Sequence, residues 1–190
     1  MAWAIMCPYT DILKDFVMMG GVYIGTCMGA FLGDGWLPMV DEGYAIPAGG
    51  FGFAKGDARE YAASEGSQAA DENKAYTIDI NWRGNMERIF YQGGPYLEMQ
   101  QSALDDPTTT IIAKFTNGKI ASATWQFGAG AVGHIGPHPE APPSWYITSL
   151  MKVQHNESLV LDVVDTAMRT VDMSKAAHWT GHIECANFLS

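Results

Sequence analysis

The stretch from Gly21 to Ala30 constrains the fold of this chain more than any other. An apolar, β-branched run leads there into Gly25-x-Cys27-x-Gly29, and small residues follow. This pattern is typical of a nucleophile elbow, in which the nucleophile lies at a sharp turn between a strand and a helix. Glycines two positions before and after the turn leave room for a strained backbone. The pattern predicts a strand over Val22–Thr26 and places Cys27 at the turn.

A thiol at this turn would lie beside the N-terminus of the helix that begins at Met28. Backbone N–H groups and the helix dipole favour thiolate over thiol at that position. The backbone N–H of Met28, the residue after the nucleophile, is expected to serve as one donor of an oxyanion hole. The same residues also fit a buried cysteine in a glycine-rich strand and turn, and the motif alone does not separate the two interpretations.

A second candidate segment is Gly136-Pro137-His138-Pro139-Glu140-Ala141, which follows an expected strand over Ala131–Gly136. A histidine two residues before a glutamate allows the carboxylate to hold one ring nitrogen, while the other nitrogen acts on a thiol. The flanking prolines stiffen the backbone. Alone, His138 could be a surface residue in a proline-rich turn, but with Cys27 it completes the nucleophile, base and orienting group of a triad.

Chain length and charge limit the classes of protein to consider. The 190 residues, 47% of them hydrophobic, fit one domain, which we assign to residues 1–173 with a C-terminal tail over 174–190. A net charge of -10 argues against nucleic acid or an anionic membrane as a partner. No apolar run approaches the roughly 20 residues that span a bilayer. The widely spaced Cys7, Cys27 and Cys185 indicate reduced thiols and a cytoplasmic protein.

Periodicity and turn residues predict the remaining elements. We expect a helix from Thr10 to Gly20, an irregular loop from Gly33 to Ser67, and antiparallel hairpins at Arg83-Gly84-Asn85 and Asn117-Gly118. Two helices are expected near the end of the chain, over Ser144–Lys152 and after a cap at Asn156. The buried face of the second should carry the residues Leu159, Val163, Val164, Ala167 and Met168.

The two candidate segments together resemble the class I glutamine amidotransferase-like superfamily. Gly-Thr-Cys-Met-Gly around Cys27, Phe90-Tyr91-Gln92-Gly93-Gly94-Pro95-Tyr96 and the His138 segment are most similar to the branch named for the biotin-protein ligase N-terminal domain. This resemblance, over residues 10 to 170, implies a flavodoxin-like three-layer α/β/α sandwich. It implies a catalytic triad of Cys27, His138 and Glu140. It also implies a pocket rim that includes Gln92, Gly93 and Gly94, to which we add Tyr146 as a residue close to the site in sequence.

The family's domain begins with strand–helix units that include a Pro-Gly-Gly turn, and residues 1 to 9 contain no such turn. The resemblance therefore implies a sandwich without its N-terminal strands and without one expected oxyanion donor. Because removing one such donor slows a well-studied hydrolase about 10²- to 10³-fold, this difference bears on whether the site is active.

The sequence thus predicts a cysteine-dependent amidase that acts on a small amide, with glutamine as one candidate substrate. A binding or structural protein that keeps the elbow without turnover is the alternative. No cofactor is expected. A metal site at His134, His138 and Glu140 is less consistent with the spacing, since residues four apart on a strand lie far apart along it. A synthase partner and a homo-oligomer both remain open.

Overall fold

The computed structural model describes residues 2–33, 40–41, 44–45, 50–146, 156 and 158–176. The helices are α1 (Ala2–Met6), α2 (Thr10–Met18), α3 (Met28–Gly33), α4 (Gln101–Leu104) and α5 (Ser158–Thr170). The strands are β1 (Val22–Thr26), β2 (Val40–Asp41), β3 (Tyr44–Ala45), β4 (Gly56–Glu60), β5 (Tyr76–Trp82), β6 (Asn85–Tyr91), β7 (Pro95–Met99), β8 (Thr110–Phe115), β9 (Ile120–Phe127) and β10 (Gly130–Ile135).

Eight of the described strands form one sheet. Its main path runs β1-β10-β9-β8-β5-β6, while β7 joins β9 at Leu97 and Ile120 and carries β4 on its other side. In the described part of the chain, β1 with β10 is the one parallel pair of this sheet, and its other pairs are antiparallel. β2 and β3 form a separate two-stranded sheet.

The expected flavodoxin-like sandwich is therefore wrong. A doubly wound sheet needs a crossover of a dozen or more residues between successive parallel strands. Here short turns connect β5 to β6, β8 to β9 and β9 to β10, and such turns make neighbouring strands antiparallel. The turns at Arg83-Gly84 and Asn117-Gly118 were predicted correctly, whereas the architecture that the resemblance implied was not.

Helices pack against both faces of the central strands. Successive residues of β10 point to opposite faces, so Val132 lies in a cluster with Val17 of α2 and Phe31 of α3, whereas Ile135 lies in a cluster with Val163 of α5. The elbow therefore lies at one edge of a sheet that is covered on both sides. Among the described residues, no helix has the length and apolar character needed to cross a bilayer.

Two expected elements differ from the structure. The predicted loop over 33–67 contains β4, which pairs with β7 in register from Gly56 with Met99 to Glu60 with Pro95. The predicted helix over Ser144–Lys152 is only a 3-10 turn at Pro143–Trp145 within the described residues, and its remainder lies outside them.

The expected buried face of α5 is narrower than predicted. Leu159, Val163 and Ala167 are buried, but Val164 is half-buried and Met168 is exposed. The predicted cap at Asn156 is confirmed, because its side-chain oxygen accepts a hydrogen bond from the backbone N–H of Ser158. The tail expected from Ser174 is described only to Ala176.

Candidate functional site

Cys27 lies between β1 and α3, at the turn that the sequence predicts. Its φ is 51°, in the left-handed region that residues other than glycine rarely adopt. Its backbone N–H donates to the carbonyl of Ile135 at 2.8 Å, which continues the β1–β10 pairing to the turn. The elbow is thereby fixed to the end of β10, from which the chain continues to His138.

The two elbow glycines are not equivalent. A Cβ at Gly25 would lie 2.5 Å from the backbone oxygen of Gly29, so no larger residue fits there without a backbone shift. A Cβ at Gly29 would meet only the hydroxyl oxygen of Tyr23, at 3.7 Å, which is an ordinary contact. Steric crowding thus accounts for Gly25, while the expectation that Gly29 is required for the same reason is wrong.

His138 is held by its backbone and by a carboxylate. Its backbone N–H donates to the carbonyl of Phe90 at 2.9 Å, in an isolated antiparallel bridge to the end of β6. Its ring Nδ1 lies 2.8 Å from Oε1 of Glu140, and its side chain is 14% exposed. The arrangement fixes both the position and the rotation of the ring.

The imidazole of His138 also interacts with the Cys27 side chain, and this interaction is one cause of its altered pKa. Because Nδ1 faces Glu140, the other ring nitrogen, Nε2, is the one left for the sulfur. Burial lowers the pKa of His138, but the hydrogen bonds to Cys27 and Glu140 outweigh it and raise the pKa to about 9. The ring is therefore in its positively charged imidazolium form at neutral pH, beside the sulfur.

The segment after β6 forms the third side of the site. The Cys27 thiol donates to the backbone carbonyl of Gln92 at 3.4 Å. A Cβ on Gly94 would collide with the backbone oxygen of Gly136, and one on Gly136 would collide with that of Pro95. These backbone contacts bring the carbonyl of Gln92 and the segment leading to His138 to the same sulfur.

Gly93 and Gly94 complete this turn. Gly93 has a φ of 64°, and a Cβ there would lie 2.9 Å from the backbone oxygen of Glu72. The carbonyl of Gly94 accepts a hydrogen bond from the hydroxyl of Tyr91 at 2.9 Å, and burial raises the pKa of Tyr91. Of the expected rim residues, Gln92 contacts Cys27 through its backbone carbonyl, while Gly93 and Gly94 form the turn that follows it.

Aromatic rings surround the imidazole on its other side. Phe90 is buried, and its ring centroid lies 5.8 Å from that of His138, 5.5 Å from that of Trp145 and 5.6 Å from that of Tyr146. The Trp145 and His138 centroids are 5.5 Å apart. Burial raises the pKa of Tyr146. We refer to Phe90, Trp145 and Tyr146 as the aromatic cluster; of these three, only Tyr146 was expected at the site from the sequence.

Sequence reasoning also missed a pair of carboxyl groups, Glu60 and Glu72. Burial and a hydrogen bond between the two side chains raise the pKa of Glu60 to about 7. Glu72 lies in the turn whose backbone oxygen faces Gly93, and the negative charge of Glu60 acts on Tyr91. The pair depends on a contact between separate segments, so no local pattern marks it.

His134 is not part of this site. It is fully buried, and its ring contacts those of Trp125, at 4.9 Å between centroids, and Tyr23, at 6.1 Å. Within the described residues, no group of three or more histidine, cysteine, aspartate and glutamate side chains is arranged to hold a metal ion.

Comparison with known proteins adds little to this geometry. No family model matches the chain, and no curated protein matches it. Among solved structures it is similar to a GH42 beta-galactosidase from G. stearothermophilus and to a catalytic mutant of that enzyme, each with a TM-score of 0.38 and 16% identity. Each match covers 68% of this chain and 17% of the other. At this TM-score the likeness does not establish a shared fold or function.

The resemblance to the class I glutamine amidotransferase-like superfamily and its biotin-protein ligase branch is therefore not supported, and we correct it. No family model or curated protein supports it, and the sheet is largely antiparallel. The predicted amidase that acts on a glutamine-like amide depended on that family, and this prediction is wrong. The alternative prediction, a non-catalytic member of the same family, is wrong for the same reason.

Proposed function

We propose that Cys27 is the nucleophile of a covalent site, with His138 as its proton acceptor and Glu140 as the group that orients the imidazole. The contact of His138 with both the Cys27 sulfur and Glu140 carries this proposal. The left-handed backbone at Cys27 supports it, because strain of this kind clusters at functional sites. The proposal assigns roles to these three side chains and does not include an amide substrate.

The chemistry follows from the positions of the three groups. When the imidazole of His138 is neutral, its Nε2 accepts the thiol proton, and the sulfur then forms a bond to an electrophilic carbon. Glu140 stabilises the imidazolium that results and keeps Nδ1–H directed away from the sulfur. Where the electrophile carries a leaving group, that group departs with the electron pair of the broken bond.

The remaining site residues have supporting roles in this proposal. The carbonyl of Gln92 orients the thiol, and the turn at Gly93 and Gly94 positions this carbonyl beside the sulfur. The backbone N–H of Met28 is a donor for negative charge that develops on the substrate, and Tyr146 forms part of the rim.

We propose a small molecule as the substrate, since a net charge of -10 favours neither nucleic acid nor an anionic membrane. Residues 1–173 would act as one domain with 174–190 as a tail. The cytoplasm is the proposed compartment, because Cys27 must stay reduced.

Alkylation by iodoacetamide, followed by peptide mass spectrometry, tests the assignment. Cys7 is the internal reference, because its thiol is exposed whereas Cys27 is half-buried. At pH 7 we expect Cys27 to react at least about tenfold faster than Cys7 despite its lower exposure, since its sulfur faces an imidazolium. His138→Gln removes that cation and should bring the two rates together.

The outcomes are separable. Equal rates at the two cysteines of the unmodified protein would overturn the proposal, as would a fast Cys27 in His138→Gln. Far-ultraviolet circular dichroism of the variant establishes that it is folded. Glu140→Asp serves as the conservative variant, in which a shorter carboxylate should retain part of the difference.

A further inference from the structure

The indole of Trp145 is about half exposed to solvent and lies beside the half-buried imidazole of His138. Its side chain is 45% exposed, whereas Phe90, which it contacts, is 3% exposed. The indole contacts the imidazole of His138 at an interplanar angle of 68° and Phe90 at 64°, and part of its surface is open. A large aromatic surface exposed next to a candidate nucleophile resembles the wall of a ligand site.

The charges near this wall indicate what kind of group it accepts. Glu140 lies next to the imidazole, and Glu72, whose side chain pairs with Glu60, faces Gly93 through its backbone oxygen. Glu140 pairs with the protonated ring of His138, so the positive charge of the ring is offset and is not presented alone to an anionic group. The exposed part of the aromatic cluster instead favours a flat, uncharged ring, because aromatic pairs are worth about 0.5–1.5 kcal/mol beyond the area they bury.

We propose that Trp145 determines specificity at this site by binding an uncharged aromatic group of the electrophile that Cys27 attacks. The inference rests on the proposed nucleophilic role of Cys27. It goes beyond that role by naming the substrate class: an uncharged electrophile with an aryl group close to the reacting carbon.

Two vinyl sulfones test the inference, because they share one reaction and differ in one substituent. In both, the Cys27 sulfur adds to the terminal vinyl carbon, the electron pair of the double bond shifts to the adjacent carbon, and a proton moves there from His138. Phenyl vinyl sulfone presents a ring and methyl vinyl sulfone does not. Dividing each Cys27 rate by the Cys7 rate with the same reagent removes the intrinsic difference between the reagents.

We expect the normalised rate at Cys27 to be about tenfold higher for the phenyl than for the methyl reagent, which is about 1.4 kcal/mol. Trp145→Ala should reduce this ratio to about one, and the loss should fall on the saturation constant for the phenyl reagent rather than on its maximal rate. Trp145→Phe keeps a ring and should keep part of the preference. Met86→Ala is the matched control, because Met86 is a 60% exposed apolar residue at the far end of the same strand as Phe90.

The results distinguish the two proposals. If Cys27 reacts no faster than Cys7 with either reagent or with iodoacetamide, the nucleophilic role fails. If Cys27 reacts fast with iodoacetamide but shows no phenyl preference, or keeps that preference in Trp145→Ala, the role of Trp145 fails while that of Cys27 stands.

Discussion

Two turns of this molecule hold a residue other than glycine in the same rare backbone conformation, yet they use it differently. Among the described residues, Cys27 has a φ of 51° and Arg83 a φ of 49°, and no other non-glycine residue has a positive φ. At Cys27 the strained turn directs a thiol toward an imidazole. At Arg83 it directs a guanidinium toward α5. In both turns the strained backbone fixes the direction of a side chain, and the neighbouring groups determine whether its role is chemical or structural.

The contacts of Arg83 show a structural task. Its Nε donates to Oδ2 of Asp162 at 2.7 Å, and its Nη2 donates to the hydroxyl of Thr166 at 2.6 Å. The indole N–H of Trp82 donates to the same Asp162 oxygen at 2.8 Å. One carboxylate thus holds the β5–β6 hairpin against α5, with no nucleophile among these side chains.

The two turns also respond to pH in opposite directions. The pKa of His138 is raised to about 9, so its contribution to stability is complete below its unfolded pKa near 6.5 and is lost as the pH rises through 9. Burial raises the pKa of Asp162, but its hydrogen bonds to Arg83 and Trp82 outweigh this and lower it. Its contribution is complete above its unfolded value and is lost as the pH falls through the folded one.

The largest expected effect comes from the glycines that support each turn. Gly25→Ala places a Cβ 2.5 Å from the backbone oxygen of Gly29, whereas Gly84→Ala meets nothing within 4 Å and only strains a φ of 91°. We expect urea denaturation to show a loss of about 3 kcal/mol for the first and about 1 kcal/mol for the second. Equal losses would mean that the elbow is no more crowded than the hairpin.

The carboxylate that holds the hairpin should have the next largest effect. Asp162→Ala leaves the indole N–H of Trp82 and the Nε of Arg83 without their acceptor. We expect a loss of about 2 kcal/mol in the free energy of unfolding. Asp165→Ala is the control, since Asp165 is exposed on the same helix, and it should change stability by less than about 0.5 kcal/mol. Alkylation of Cys27 should be unchanged in Asp162→Ala if the two turns are independent.

The elements that the sequence predicted correctly depend on local chemistry. The turn at Cys27 follows from Gly25 and the β-branched run before it, and the hairpin at Asn117-Gly118 follows from a turn dipeptide in which Gly118 adopts a φ of 84°. The contact of His138 with Glu140 is also local, because only one residue separates them. Each of these features could be read within a short window.

The features that the sequence did not reveal depend on distant segments. β4 pairs with β7 across a stretch with no strand periodicity, and Glu60 meets Glu72 only because that sheet edge and a turn come together. The resemblance to a known family also led to the wrong sheet, because three short motifs fix local turns and not the order of strands. Trp145 could not be separated from core tryptophans such as Trp125 by its sequence neighbours.

The electrostatic difference between the turns can be measured at His138. Glu140→Gln removes one of the two hydrogen-bonded groups that raise the pKa of His138. We expect a histidine proton NMR titration to show that pKa falling by at least about one unit, or about 1.4 kcal/mol of interaction between the two protonation states. Cys27→Ala should lower it as well, since the sulfur is the other partner. A pKa that stays near 9 in both variants would show that neither group controls the ring.

The smallest expected effect is the change in stability caused by the backbone strain of each turn, measured apart from the contacts of its side chain. Cys27→Ala and Arg83→Ala keep a Cβ in the left-handed region, whereas Cys27→Gly and Arg83→Gly remove it. Because the two φ values are nearly equal, each glycine variant should be more stable than its alanine partner by about 0.5–1 kcal/mol in urea denaturation. A gain at one turn only would show that the other backbone relaxes out of the left-handed region once its side chain is gone. Similar gains at both would mean that the turns differ only in what the side chains contact, which at Cys27 is an imidazole and at Arg83 a carboxylate.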